Sequence, residues 1–256
     1  MKTTALFVSD AHIGFTPKED RVRTARLLSF LDYAKRVAGE LLILGDLFDF
    51  WFEYRFAIPK TGFPILAKLM ELSSSGMRLT YVGGNHDFWI GEFLKRELGI
   101  EVASGSKEVS LQGRRVLVAH GDGFTRTDVG YRFLKTILRN PVSIFAYKLI
   151  HPDIGFQIAK LSSTLSRKYT EGRRPTDAEL IHEICEPRFN QGIDSIVLGH
   201  IHHPIHFTWQ GKEAIVLGDW IKNFSFARLE GGLFTLEKWE EGKCVRLEKV
   251  EYSGKT

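Results

Sequence analysis

Eight polar residues stand where apolar runs end: Asp10 and His12, Asp46, Asn85 with His86, His120, and His200 with His202. Carboxylate, imidazole and amide oxygen, with no thiolate, form a donor set suited to a pair of divalent first-row metals such as Mn²⁺, Fe²⁺ or Zn²⁺. Two metals need about eight ligand bonds plus water, and one bridging carboxylate lets seven residues meet that demand. Held about 3.5–4 Å apart, they can deprotonate a bridging water at neutral pH and clamp a phosphoryl group for in-line attack. No nucleophilic side chain is then required. The chain offers no rival chemistry: it has no Gly-rich phosphate loop followed by Lys, no Gly-x-Ser-x-Gly elbow and no cysteine set up as a nucleophile. Any one of these residues alone reads as a turn or cap, and Gly45-Asp46 after Leu41-Leu42-Ile43-Leu44 is such a case. The weight lies in the repetition at five places.

Bringing five such places together requires strands that deliver their carboxyl ends to one cleft. Apolar runs predict strands near Thr4–Val8, Leu41–Leu44, Leu79–Val82, Arg115–Ala119 and Ser195–Leu198, each ending at one of the polar clusters. Helical spacing runs from about Asp20 to Ala38, with Val22, Ala25, Leu28, Leu31 and Ala34 on one stripe and Gly39 as a stop. A second helix is expected over Pro64–Leu72, after an aromatic loop from Phe48 to Phe56. A third opens at the Thr176-x-x-Glu179 capping box and runs to about Gln191. A hairpin turns at Gln112-Gly113-Arg114. The tail reads as strands at 206–209, 213–217, 233–239 and 244–250, expected to complete a second sheet. Residues 129–170 are helical in pattern and broken at Pro141 and Pro152.

Length and composition agree with one large soluble domain. At 256 residues the chain is near the upper edge for a single core, so one domain over 1–256 with a helical insertion at about 125–175 is expected. Hydrophobic residues at 43% and charged residues at 26% exclude disordered and fibrous classes. Cys185 and Cys244 are too few and too far apart for a disulfide framework or a thiolate metal site, which fits a reducing compartment. The apolar start is too short for a signal-peptide core, and no stretch approaches the roughly 18 apolar residues of a membrane span. A cytoplasmic protein, at most peripheral on the membrane, is the expectation. Net charge is +4, yet residues 121–175 carry ten Lys or Arg against four acidic residues. A local excess of that size suits an anionic ligand or membrane surface better than duplex DNA, and no nucleic-acid partner is expected.

Asp10-x-His12, Gly45-Asp46-x-x-Asp49, Gly84-Asn85-His86-Asp87, His120 and Gly199-His200-x-His202, in this order, resemble the signature of the calcineurin-like metallophosphoesterases. The resemblance implies an α/β fold, a β-sandwich flanked by helices. It also implies that Asp10, His12, Asp46 and His202 hold one metal and Asp46, Asn85, His120 and His200 the other, with Asp46 as the bridge. His86 is the superfamily's residue for protonating the leaving group or steadying the phosphate. Asp49, Asp87 and Asp122 read as loop anchors or partners that orient ligand imidazoles.

A narrower resemblance is to the UDP-2,3-diacylglucosamine hydrolase family of lipid A biosynthesis. It rests on Gly45-Asp46-Leu47-Phe48-Asp49-Phe50-Trp51, on His120-Gly121-Asp122 followed by Thr127-Asp128 and Tyr131, and on a basic helical insertion ahead of Gly199-His200-Ile201-His202-His203-Pro204. It implies hydrolysis at the uridine-side phosphorus, Mn²⁺ as the usual metal and the insertion as a lid over acyl chains. Substrate contacts are implied at Asp128 and Tyr131, and Arg167 and Arg173 are the best lid candidates. Many members carry Arg where this chain has His86. Independently, an acylated sugar nucleotide needs fixed cations beside exposed apolar surface, and the insertion interleaves both. The same pattern suits an anionic leaflet. Two alternatives stay open on the residues alone: a phosphodiesterase for another nucleotide or phospholipid, and a non-catalytic interaction module on the same fold.

Overall fold

The computed structural model describes residues 2–14, 17–125, 129–170 and 175–252. Strands β1 (Ala5–Val8), β2 (Glu40–Leu44) and β3 (Arg78–Gly83) are linked by helices α1 (Pro17–Val37) and α2 (Phe63–Ser74). All residues of β1 and β2 are buried. Parallel strands covered on both faces favour such uninterrupted apolar runs, and these three pair in parallel. Val8 lies beside Ile43 and Leu44 beside Val82, so the strands end level.

The short α3 (Phe93–Arg96) leads to β4 (Glu101–Ser104), which pairs parallel to β3 at the sheet edge. β5 (Ser106–Leu111) and β6 (Arg114–Ala119) form the expected hairpin. Between β6 and β7 (Ser195–Leu198) stand α4 (Val129–Leu138), α5 (Pro141–Lys148), α6 (Pro152–Thr170), a π-helical segment Glu179–Cys185 and α7 (Glu186–Phe189). The chain closes with β8 (Ile205–Trp209), β9 (Lys212–Val216), β10 (Ser225–Glu230), β11 (Leu233–Glu240), β12 (Lys243–Arg246) and β13 (Val250–Tyr252).

Two sheets result, ordered β12-β11-β10-β1-β2-β3-β4 and β13-β8-β9-β7-β6-β5. Phe7, Leu42, Leu44 and Val82 of the first meet Val116, Val118, Val197 and Ile215 of the second in a shared apolar layer. The opposite faces are closed by helices. Leu6, Val8, Leu41 and Ile43 pack on Leu27, Phe30, Leu31 and Ala34 of α1 and on α2. Leu117, Ile196, Leu198 and Val216 pack on Leu180, Ile181, Ile184 and Phe189. The arrangement is a β-sandwich flanked by helices.

Three details differ from the sequence expectation. The buried stripe of α1 runs through Leu27, Phe30, Leu31 and Ala34, while Val22 is 61% exposed. Two stripes satisfied the helical period, and the one carrying Phe30 removes more apolar area from water. The tail divides between the sheets: β10 pairs antiparallel with β1 and continues the first sheet through β11 and β12. Finally, the Thr176–Glu179 box caps as expected, Glu179 N donating to Thr176 Oγ1 at 3.2 Å and Thr176 N to Glu179 Oε2 at 2.8 Å. The helix then widens into a π turn, which seats Leu180, Ile181, Ile184 and Cys185 on the sheet together.

Candidate metal centre

The pairing of β1 with β2 continues past the strand ends. Asp10 N donates to Gly45 O at 3.1 Å, His12 N to Asp46 O at 2.9 Å and Ile13 N to Leu47 O at 3.0 Å. This extension turns two loops into one platform. Asp10, His12, Asp46, His200 and His202 all have left-handed backbones, with φ between 45° and 67°. Such a conformation costs about 1–3 kcal/mol at a non-glycine residue and persists where its surroundings over-determine it, typically at functional sites. Crowding excludes any side chain at two neighbouring positions. A Cβ on Gly84 would lie 2.1 Å from Asp46 Oδ1, and one on Gly199 would lie 2.8 Å from Asp10 Oδ2.

Ligand atoms of Asp10, His12 and His202 all lie within 4.8 Å of one another, as do those of Asp10, Asp46 and His120, and those of His12, Asp46 and His86. Asp46 Oδ2 sits between two imidazoles, 3.7 Å from His12 Nε2 and 3.3 Å from His120 Nε2. Its Oδ1 accepts from His86 N at 2.9 Å. Asn85 Oδ1 is 2.9 Å from His120 Nε2. His200 is anchored through its backbone, N donating to Asp10 Oδ2 at 2.9 Å, and its ring lies 5.1 Å from that of His120. Asp10, His12, Asp46 and His120 are all but inaccessible, whereas the His202 side chain is 36% exposed. The centre therefore opens on the His202 side.

Second contacts fix the imidazole tautomers. His120 Nδ1 is 2.8 Å from Leu44 O and His86 Nδ1 is 2.9 Å from Asp49 O, so each donates from Nδ1 and turns Nε2 to the centre. Asp87 is a buried anchor, accepting from Leu47 N at 3.0 Å, Gly84 N at 2.8 Å and the Tyr81 hydroxyl. Burial and the neighbouring Asp46 carboxylate push its carboxyl up to about 6.

These residues fit divalent cations. Asp10 Oδ1 is buried without a hydrogen-bond partner, although His202 Nε2 lies 3.1 Å away. The Nε2 atoms of His12 and His202 converge at 3.3 Å. Burial resists the charge on Asp46, but the imidazoles of His120, His86 and His12 outweigh it and hold the carboxyl well below its usual range. Burial likewise disfavours a charged His120, but Asp46 and Asp10 hold its pKa well above the ordinary value. His200 is pushed down to about 4 by burial and by His120. The cluster is thus a set of anionic oxygens and imidazole nitrogens for which a shared proton at His120 substitutes imperfectly.

The sequence model of the calcineurin-like phosphoesterases matches residues 3–204, the span that contains all of these loops. The chain belongs to that family. As a calcineurin-like phosphoesterase it is a metal-dependent hydrolase that uses divalent ions. It is 30% identical over 261 residues to a UDP-2,3-diacylglucosamine hydrolase of Porphyromonas gingivalis, covering 94% of this chain and 99% of that one. It is 35% identical to a UDP-2,3-diacylglucosamine hydrolase of Pseudomonas fluorescens, over 85% of this chain and 88% of the relative. Among solved structures, a phosphoesterase from E. coli aligns over 95% of this chain and 98% of its own, with a TM-score of 0.48 and 17% identity.

One residue of this phosphoesterase centre escaped the sequence reading. Asp219 follows β9, and its Oδ2 lies 3.7 Å from His202 Nδ1. Its Oδ1 accepts from the backbone N of Ile221, Lys222 and Asn223 at 2.7–3.0 Å. The signal was present: Gly218-Asp219 after the apolar run Ala214–Leu217 repeats the Gly45-Asp46 pattern. Of the implied substrate contacts, Asp128 and Arg173 lie outside the described residues, and Tyr131 and Arg167 are described by backbone alone, in α4 and α6. Trp51 is core, 1% exposed and packed on Phe48 at 4.8 Å.

Proposed function

We propose that this chain hydrolyses the diphosphate of UDP-2,3-diacylglucosamine to UMP and 2,3-diacylglucosamine 1-phosphate, a step of lipid A biosynthesis. The carrying observation is a metal-type centre whose loops are shared with a greasy, basic helical insertion. Trp89, three residues after His86, donates from Nε1 to Leu138 O at 2.9 Å and packs on Tyr147 at 4.8 Å. Asp122, two residues after His120, pairs with Lys135 at 2.5 Å. The insertion leaves Phe133, Val142, Phe145, Leu149 and Leu161 more than 60% exposed. Exposed apolar surface of that extent marks a lipid or partner site.

In this reading Asp10, His12, Asp46 and His202 would hold one ion, and Asp46, Asn85, His120 and His200 the other, with Asp46 shared between them. The bound ions supply an activated water and neutralise phosphoryl charge. The oxygen and imidazole donors suit Mn²⁺. Asn85 donates its amide N–H to a phosphoryl oxygen. His86, held through Nδ1 by Asp49 O, turns Nε2 to the leaving oxygen or the phosphate, and donates to it only as the imidazolium. Asp128 and Tyr131 are assigned to the sugar, and Arg167 and Arg173 to the remaining phosphate. The segment at about 125–175 is a lid inserted in a single domain, and its exposed apolar and basic residues rest on the anionic cytoplasmic face of the inner membrane. No helix among the described residues is long and apolar enough to cross a membrane.

The test is turnover by the Mn-loaded protein of the acylated substrate against the deacylated sugar nucleotide. Strong preference for the acylated form is expected. Equal turnover sinks the lipid assignment and favours a phosphodiesterase for another nucleotide.

A further inference from the structure

We infer that the insertion is mounted on the metal-centre loops through one aromatic joint, that Gly155 is the tightest seat in it, and that this joint positions the insertion for the acylated substrate; the substrate part rests on the reading above. The scaffold side of the joint comes from loops that also carry candidate ligands. Phe50, Phe52 and Tyr54 follow Asp46 and Asp49 in one loop, and Trp89 follows Asn85 and His86 in another. The two loops are tied together: Trp51 N donates to His86 O at 3.2 Å, and Phe52 and Trp89 pair as an isolated parallel bridge. Three helices of the insertion reach this pair of loops. α4 ends on it through Leu138 O, which accepts from Trp89 Nε1. α5 lays Tyr147 against Phe52 at 4.7 Å and against Trp89 at 4.8 Å, and α6 meets Phe50 edge-on through Phe156 at 5.4 Å. Ring separations of this size belong to favourable aromatic pairs.

At Gly155 the backbone of α6 comes closest to the rings. Its O accepts from the Tyr147 hydroxyl at 2.6 Å, and a Cβ at this position would run into the Tyr54 hydroxyl and lie 3.1 Å from that of Tyr147. A side chain there forces helix and ring apart. The Tyr54 hydroxyl is buried without a hydrogen-bond partner, so it contributes contact rather than a bond. α5 shows what the joint sets. Tyr147 faces it, while Phe145 and Leu149, two residues to either side, turn outward and are 63% and 73% exposed. The apolar face offered to acyl chains therefore stands where the joint holds it, and displacing it withdraws apolar contact from a bound substrate.

The experiment compares Gly155→Ala, Tyr54→Phe and the two combined in the metal-loaded full chain, by amide hydrogen exchange and by kinetics on UDP-2,3-diacylglucosamine and bis(p-nitrophenyl) phosphate. Gly155→Ala should speed exchange in the first turns of α6 about tenfold while β2 is unchanged. Ala is the better helix former, so propensity alone predicts slower exchange, and the two causes have opposite signs. KM for the acylated substrate should rise about tenfold while kcat and turnover of the small diester hold. Tyr54→Phe alone should stay near wild type, because the lost hydroxyl makes no bond, and in the combined variant it should restore both readouts by making room for the new methyl group. Tyr147→Phe adds no volume and removes only the bond to Gly155 O, so it should move both readouts in the same direction by less. Unchanged exchange in Gly155→Ala, or no rescue by Tyr54→Phe, overturns the joint. Loosened helices with an unchanged KM overturn its positioning role, as does equal loss on both substrates. A wild-type chain that leaves the acylated substrate uncut refutes the functional reading and the substrate part with it, while exchange and rescue still decide the joint.

Discussion

The metal centre and the helical insertion solve opposite problems with similar materials. In the centre, charged residues are buried: Asp10 and His120 are 0% exposed and Asp46 is 1% exposed. In the insertion, apolar residues are exposed: Phe133 at 70%, Phe145 at 63% and Leu149 at 73%. Buried charge is tolerable only when paired, hydrogen-bonded or bound to a metal. Exposed apolar surface persists where something covers it in function. The first region is therefore suited to holding ions rigidly, and in the proposed function the second meets a greasy ligand, so each would depart from ordinary burial in the direction its task needs.

The sharpest way to break the comparison is at Asp46. Asp46→Asn keeps size and the Oδ1 contact with His86 N but removes the anionic oxygen facing both His12 and His120. We expect kcat to fall about 10³-fold or more, beyond any ligand that serves one ion. The fold should hold, as circular dichroism will check. A loss no greater than that of His202→Ala would remove Asp46 from its bridging role.

The scaffold around this centre was readable because its strands are buried on both faces. Leu41–Leu44 and Ser195–Leu198 have no polar side to blur the run, and each stops where the backbone must turn. Where burial is partial, the pattern was ambiguous. β4 has no fully buried residue, only exposed and half-buried ones, and left no run to recognise. α1 carried two apolar stripes, and only packing against the sheet selects the one with Phe30. β10 forms a hairpin with β11 across Gly231-Gly232, a local signal that was passed over, whereas its pairing with β1, over 200 residues away, has no local signature. Asp219 was missed for a different reason: the Gly-Asp turn was visible, but nothing in the chain tells which strand end reaches the cleft.

Asp219 also offers the second test, at the boundary between ligand and support. Its backbone hydrogen bonds shape the 219–223 loop through Oδ1, while Oδ2 faces His202 Nδ1. Asp219→Asn keeps the loop bonds and weakens the orientation of His202. Removal of such outer partners costs about 10–100-fold in metal affinity. We expect a loss in that range by metal titration with little change in melting temperature. Unchanged affinity would show that His202 is held by its own left-handed backbone alone.

The smallest effect separates the two regions most clearly, because it should appear in one measurement and not in another. Phe145 and Leu149 are one helical turn apart at the end of α5, and both are exposed. Replacing both with Ser in a core would cost several kcal/mol, but here no packed partner is lost, so unfolding should shift by no more than about 0.5 kcal/mol. If these side chains meet lipid, the same change removes apolar area that a bilayer or acyl chain would bury, and each residue contributes on the order of 1 kcal/mol. We therefore expect KM for the acylated substrate to rise about thirtyfold while kcat and turnover of a small phosphodiester hold. A drop in melting temperature with equal loss on both substrates would mean that the insertion is packed more like the sheets than its exposure indicates. The contrast between a region stabilised by its own contacts and one completed by its ligand would then collapse.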